Sequence, residues 1–152
     1  MTSFGYNVLG FGAGIKPVVN GVRFDGTNDW LSNAASPYTG SSSAKTLTYS
    51  VWIKRNGAGL AEALYYFDKG GLAVGEISID ASNRTIILLR NAAGTTILDA
   101  TVTSPTILAG TWTNIIISVD LANAANRHIT IANAAATVTW TTYTNDTIDF
   151  AN

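Results

Sequence analysis

The chain contains no cysteine. That absence removes disulfide frameworks, thiol nucleophiles and Cys-based zinc sites together. Histidine occurs once, at His128. One imidazole without a thiolate gives zinc hydrolysis no ligand set. A Ser-His-Asp triad would have to borrow His128, and no Gly-x-Ser-x-Gly elbow is present to serve it. Charge is scarce as well. Lys, Arg, Asp and Glu make up 12% of the 152 residues, about half of the ~25% usual in globular domains. The net charge is −1 and no basic run occurs, so neither a phosphate-binding surface nor a nucleic-acid partner is expected. No apolar stretch approaches the ~20 residues of a membrane span. The opening segment, Met1 to Gly14, has no Lys or Arg, and glycines interrupt its apolar residues. It therefore lacks both the charged and the continuous apolar region of a secretory signal.

Ser, Thr, Asn, Ala and Gly supply the polarity that charge does not. The length suits one domain, which at this size buries about 68–70% of its unfolded surface without needing a disulfide or metal. Residues 1–17 read as a Gly-rich amino-terminal arm closed by Lys16-Pro17. Phe4, Tyr6, Leu9 and Phe11 are its apolar anchors, and its glycines permit close approach to a neighbour. Gly10-Phe11-Gly12-Ala13-Gly14 has the wrong spacing for a nucleotide-binding loop, follows no strand pattern and opens no helix. From Val18 to Asn152 the pattern is β. Leu47, Tyr49, Val51 and Ile53 alternate with Thr48, Ser50, Trp52 and Lys54, a period of two. Ile115, Ile117 and Val119 alternate with Asn114, Ile116 and Ser118. Ile77 to Ile79 and Val138 to Thr141 repeat the pattern. Ile86-Ile87-Leu88-Leu89 is apolar on both faces, as in a central strand covered on both sides. Turn signals separate these runs, at Asn20-Gly21, Asp25-Gly26, Asn56-Gly57, Gly70-Gly71, Asn91 to Gly94 and Asn123 to Asn126. Ser36 to Ala44 reads as an exposed loop. Short helical turns are expected only near Gly59–Ala63 and Leu121–Ala125. About ten short strands at this spacing predict an all-β, antiparallel two-sheet sandwich.

Three segments carry a family resemblance. They are Val22-Arg23-Phe24-Asp25-Gly26-Thr27-Asn28-Asp29-Trp30-Leu31, Leu47-Thr48-Tyr49-Ser50-Val51-Trp52-Ile53-Lys54, and Gly110-Thr111-Trp112-Thr113-Asn114-Ile115-Ile116-Ile117-Ser118-Val119-Asp120. In that order they resemble the concanavalin A-like, laminin G-like jelly-roll sandwiches, over roughly residues 18–135. Ile129 to Ala134 resembles that family's next strand and turn, with Asn-Ala in place of Asn-Gly. The resemblance implies two further closing strands after Thr137–Tyr143, and the sequence shows no match to them. It therefore predicts either a longer native chain or a neighbouring copy that covers the edge. It implies a fold more firmly than an activity, since such sandwiches serve as lectins, glycosidases and structural modules.

Glucanases of this fold carry Glu-x-Asp-x-Glu on one strand face. Here, in Glu76-Ile77-Ser78-Ile79-Asp80, the middle Asp is replaced by Ser78 and the last Glu by the shorter Asp80. Residues i and i+4 of a strand lie about 13 Å apart at Cα, whereas a retaining glycosidase holds its carboxyl groups about 5–5.5 Å apart. An ordinary strand with polar residues outward is the plainer reading, so no catalytic residue is assigned. Asp25 and Asp29 flank a tight turn rich in oxygen ligands, the type calcium prefers. They are the candidates for a metal, and turn formation explains them equally well. Tyr38, Trp52, Trp140 and Tyr143 are the candidates for stacking on sugar rings. Trp52 and Lys54 are predicted to face away from the core. The sequons Asn83-Arg84-Thr85 and Asn145-Asp146-Thr147 carry little weight without a secretion signal.

These readings lead to a non-enzymatic virion structural protein as the first expectation: a capsid decoration, fibre or appendage subunit. The resemblance of the arm to the opening of some tailed-phage structural proteins points the same way. Such a protein is made in the host cytoplasm and carried on the virion surface. Its arm would dock on other virion proteins, and the chain would form a homo-oligomer, with a trimer as the simplest ring. The alternative expectation is a lectin-like adhesion module that binds host or environmental glycans.

Overall fold

The computed structural model describes residues 43–69 and 72–150. The arm anchors Phe4, Tyr6, Leu9 and Phe11, the Asp25–Asp29 turn and Tyr38 lie outside the described residues. Within them the chain is a two-sheet antiparallel β-sandwich. Its strands are β1 (Thr46–Lys54), β2 (Glu62–Lys69), β3 (Leu72–Ile79), β4 (Thr85–Arg90), β5 (Thr96–Ser104), β6 (Trp112–Asp120), β7 (His128–Ile131), β8 (Ala134–Ala135) and β9 (Thr137–Tyr143). One sheet has the order β1-β6-β7-β8 and the other β2-β3-β4-β5-β9. Strands β2 to β5 form a meander, and the chain crosses between sheets after β1, after β5 and after β8.

Alternation places one side of each strand inward. On β6, Ile115, Ile117 and Val119 are buried, while β7 adds Ile129 and Ile131. The facing sheet contributes Ile77 and Ile79 from β3, Ile87 and Leu89 from β4, and Leu98, Ala100 and Val102 from β5. Each of these larger side chains adds about 1.5–3 kcal/mol by leaving water. Gly75 belongs to the same packing. A Cβ there would overlap Phe67 Cε1, so the ring of Phe67 occupies the space a side chain would need. Strand β4 is central, as its apolar run predicts. Its outward residues Ile86 and Leu88 are only half-buried, however, so the outer cover is partial.

Two hairpins share one design. In Asp80–Arg84, Asp80 Oδ1 accepts hydrogen bonds from Ser82 N and Arg84 N, both at 2.9 Å. In Asn91–Thr95, Asn91 Oδ1 accepts from Ala93 N at 3.1 Å and Thr95 N at 2.9 Å. Each turn then needs one left-handed residue, supplied by Asn83 (φ 64°) and Gly94 (φ 78°). The β7–β8 turn has left-handed backbone at both Ala132 and Asn133. That is the geometry for which Asn-Gly is the usual choice.

The expected helical turn near Leu121–Ala125 is a short 3-10 turn at Ala124–Asn126, capped by Asn123. The one expected at Gly59–Ala63 does not form. Glu62 opens β2 instead, and bulges in that strand hide its period.

Candidate functional site

The outward face of the four-stranded sheet carries the most distinctive exposed chemistry among the described residues. Trp52 is 59% exposed and Trp112 is 50% exposed. Alternation alone sets their direction. Trp52 lies on β1 between inward Val51 and Ile53, and Trp112 opens β6 just before inward Thr113. The β1–β6 register then joins them: Trp52 is opposite Asn114, and Lys54 is opposite Trp112. Trp52 and Trp112 are therefore diagonal neighbours across the two strands, positions whose backbones lie roughly 7–8 Å apart. Asn114 is buried between them and donates its Nδ2–H to Val51 O at 3.3 Å. Ile116, 38% exposed, continues the face beside Ser50. The arrangement offers two apolar plates and one ammonium on a regular sheet, above a buried carboxamide. Such a surface is suited to stacking and to adjacent polar contacts.

Sequence reading places Trp52 and Lys54 outward, and the structure does the same. Trp112 was missed as a site residue. Extending the alternation of Asn114, Ile116 and Ser118 back by one step would have found it.

A buried cation fixes the rim of this face. Arg55, only 4% exposed, follows β1 directly. Its Nε donates to Glu62 Oε2 at 2.9 Å and its Nη2 to Leu60 O at 3.0 Å. Its Nη1 donates to Asn83 Oδ1 at 2.7 Å and to Ile107 O at 3.2 Å. Arg55 O in turn accepts from Gly110 N at 2.8 Å, two residues before Trp112. One guanidinium thus ties together the loops β1–β2, β3–β4 and β5–β6.

Trp140 and Tyr143 lie elsewhere. Both are on β9 in the other sheet, half-buried and packed against the core. Their rings meet edge-on at 5.4 Å. The Arg127 guanidinium sits 4.3 Å from the Trp140 centroid and 4.8 Å from that of Tyr143. Tyr143 Oη donates to Asp120 O at 2.6 Å, and burial raises its pKa. These two aromatics already have partners, and the structure does not bring them to Trp52.

The carboxylates are occupied by turns. Asp80 Oδ2 accepts from Arg84 Nε at 2.8 Å, and Arg84 Nη2 lies 2.6 Å away. That side-chain bond, with the backbone bond from Arg84, holds its carboxyl below the usual range. A general acid needs the opposite shift. Glu76 is on the outward face of β3, opposite Tyr66 and Leu88. His128 is exposed at the start of β7. Among the described residues no group of three or more His, Asp or Glu side chains could hold a metal ion. The calcium candidates Asp25 and Asp29 fall outside them.

The shifted aspartates set an acid dependence. Asp120 is lowered chiefly by the Asn126 side chain, and Asp146 chiefly by that of Asn91. With Asp80, they favour the folded state while ionised. Their contribution is complete above the unfolded value near ~3.9 and is lost as pH falls through the lower folded values. Urea titrations are expected to show constant stability from about pH 7 to 5 and a decline below about pH 4. Replacing all three by asparagine should flatten that decline. An unchanged acid slope would place the linkage on other groups.

Compared with models of known protein families and with curated proteins, the chain matches none. What stands is the architecture: an antiparallel two-sheet sandwich compatible with a jelly roll, with a paired-tryptophan face on its smaller sheet.

Proposed function

We propose that this chain is a non-enzymatic carbohydrate-binding module, and that the outward face of β1 and β6 is its binding surface. The exposed Trp52–Trp112 pair carries the reading. Large aromatics on a solvated sheet face cost solubility unless they contact something. Pyranose rings present flat C–H faces that stack on indoles, while their hydroxyls bond to amide and ammonium groups nearby. Lys54 lies in the right register for that.

Glycan-array screening followed by calorimetry tests the proposal. Trp52→Ala and Trp112→Ala are each expected to weaken binding by about tenfold or more, as truncation of a central aromatic anchor does. Trp140→Ala is expected to reduce stability and leave affinity unchanged in the folded fraction. Equal affinity of the Trp52→Ala protein would remove this face from binding.

A second reading is the virion subunit: a decoration, fibre or appendage protein at the virion surface, assembled with itself and with other virion proteins. Strand β9 favours it. Its sequence, Thr-Val-Thr-Trp-Thr-Thr-Tyr, has no charge, Pro or Gly, and among the described residues it pairs only with β5. Edges without such protection invite pairing with another chain. Removing residues 2–14 should leave the sandwich folded and abolish incorporation into particles. Equal incorporation would refute the docking role of the arm. The two readings are compatible, since an adhesion module works from a particle surface.

A further inference from the structure

Resting on the carbohydrate reading, we infer that the Trp52–Trp112 face selects a carboxylated sugar, with Lys54 receiving the carboxylate.

The argument starts from charge. Lys54 is the last residue of β1, points outward, and stands directly opposite Trp112. The other described cations whose side-chain contacts are placed all have partners. Arg55 is held by Glu62, and Arg84 by Asp80. Arg90 bonds to Ala73 O, and Lys45 Nζ donates to Asn145 Oδ1 at 2.8 Å. Arg127 lies over Trp140 and Tyr143. Among the described residues Lys54 has neither a hydrogen bond nor an ion pair. Its ammonium is left beside an exposed indole.

Among the described residues no carboxylate on the same face competes for it. The outward positions of β1 and β6 are Thr46, Thr48, Ser50, Trp52, Lys54, Trp112, Asn114, Ile116, Ser118 and Asp120. Asp120 is the one acid among them. It is opposite Thr46, eight residues along the strand from Lys54, or about 27 Å. It is also engaged by Asn126 Nδ2 at 3.0 Å. Glu62, the acid nearest in the rim, is bonded to Arg55 through both oxygens, at 2.9 and 3.3 Å. An anion at Lys54 therefore meets attraction without opposing charge.

The count of charges narrows the ligand. A polysulfated chain is matched by runs of basic residues, and this part of the face has one lysine. One ammonium beside two indoles suits one carboxylate per recognised sugar unit, as in a uronic or sialic acid. The indoles supply stacking, and Lys54 supplies a charge-assisted bond to a single carboxylate. Lysine is the fitting residue here, because a point charge tolerates several carboxylate orientations where a guanidinium fork would demand one.

The test uses the full chain and matched probes: a galacturonate oligosaccharide against its methyl ester, 3′-sialyllactose against lactose, and a heparin oligosaccharide. Calorimetry is run at low and at physiological salt. At least one carboxylated probe is expected to bind about tenfold tighter than its neutral match, with the advantage shrinking as salt rises. Lys54→Gln should erase that advantage, bringing the carboxylated probe down to the affinity of its neutral match, whereas Trp52→Ala should weaken both probes. Equal binding within every pair, a preference that survives Lys54→Gln, or tightest binding to heparin would each overturn the carboxylate assignment while the carbohydrate reading stands. No binding to any probe, with sedimentation showing a dimer that Trp52→Ala dissolves, would overturn both and assign the face to a second copy of the chain.

Discussion

Replacing Arg55 by alanine is expected to destabilise the sandwich by about 1–3 kcal/mol, the cost of leaving a buried acceptor such as Ile107 O without its donor, while Glu62, with 36% of its side chain exposed, turns to water. The change takes the guanidinium from four acceptors: the Glu62 carboxylate, the carbonyls of Leu60 and Ile107, and Asn83 Oδ1, which keeps the N–H of Gly59 at 3.3 Å. Each buried acceptor so orphaned costs about 1–3 kcal/mol, and the costs are not additive. Arg55→Lys should rescue little. The five donors of a guanidinium reach three loops at once, and an ammonium cannot span them. Arg55→Met combined with Glu62→Leu should lose less than Arg55→Ala, since it removes both charges together. Urea unfolding with an unchanged m value would report the difference. A loss below about 1 kcal/mol for Arg55→Ala would show that the loops hold their positions without the guanidinium. The β6 end of the tryptophan face should respond as well, because Gly110 bonds to Arg55 O just before Trp112.

How much of this was legible in the sequence follows from where the information sits. Strands β1 and β6 are read directly, because one face is buried and the other wet, and the period of two survives. The outward direction of Trp52 and Lys54 follows from the same pattern. Strand β2 was missed because Leu64 and Tyr65 both pack inward across a bulge, which breaks the alternation. In β5, Ile97 and Leu98 are both buried beside the Leu89/Arg90 irregularity, with the same effect. Bulges of this kind depend on the partner strand, so one strand's sequence does not announce them.

The site was half legible. Trp112 obeys the alternation, yet its meeting with Trp52 and Lys54 depends on the β1–β6 register, a pairing between distant segments. Arg55 was not legible at all. It follows Lys54 and precedes Asn56-Gly57, so it reads as one more solvated charge before a turn. Its loop partners lie 5, 28 and 52 residues away in three different loops, and Glu62 opens β2.

The last expected result concerns Ile148, which stands isolated in the polar run Thr-Asn-Asp-Thr-Ile-Asp-Phe. Composition alone would make that run a frayed tail. In the structure Ile148 is fully buried and belongs to the core. Its N–H donates to Ala44 O at 2.8 Å, and its carbonyl accepts from Ala44 N at 3.3 Å, just before β1 of the smaller sheet. On the other side, Thr144 N donates to Ile97 O at 2.8 Å and Asp149 N to Arg90 O at 3.2 Å, both in the larger sheet. Asn91 Nδ2 donates to Asp146 Oδ2 at 2.8 Å, and Phe150 stacks on Phe67 at 5.7 Å. The segment therefore bridges the two sheets, and Ile148 fills the space between them. Among the described residues, this irregular segment is what joins the two sheets at this end. Ile148→Ala is expected to cost about 2–5 kcal/mol and Ile148→Val about 0.5–1.5 kcal/mol, the range for cavities left in a packed core. Denaturant midpoints should fall in that order. If Ile148→Ala cost less than about 1 kcal/mol, the segment would lie on the sandwich without sealing it, and the two sheets would be held by their facing strands alone.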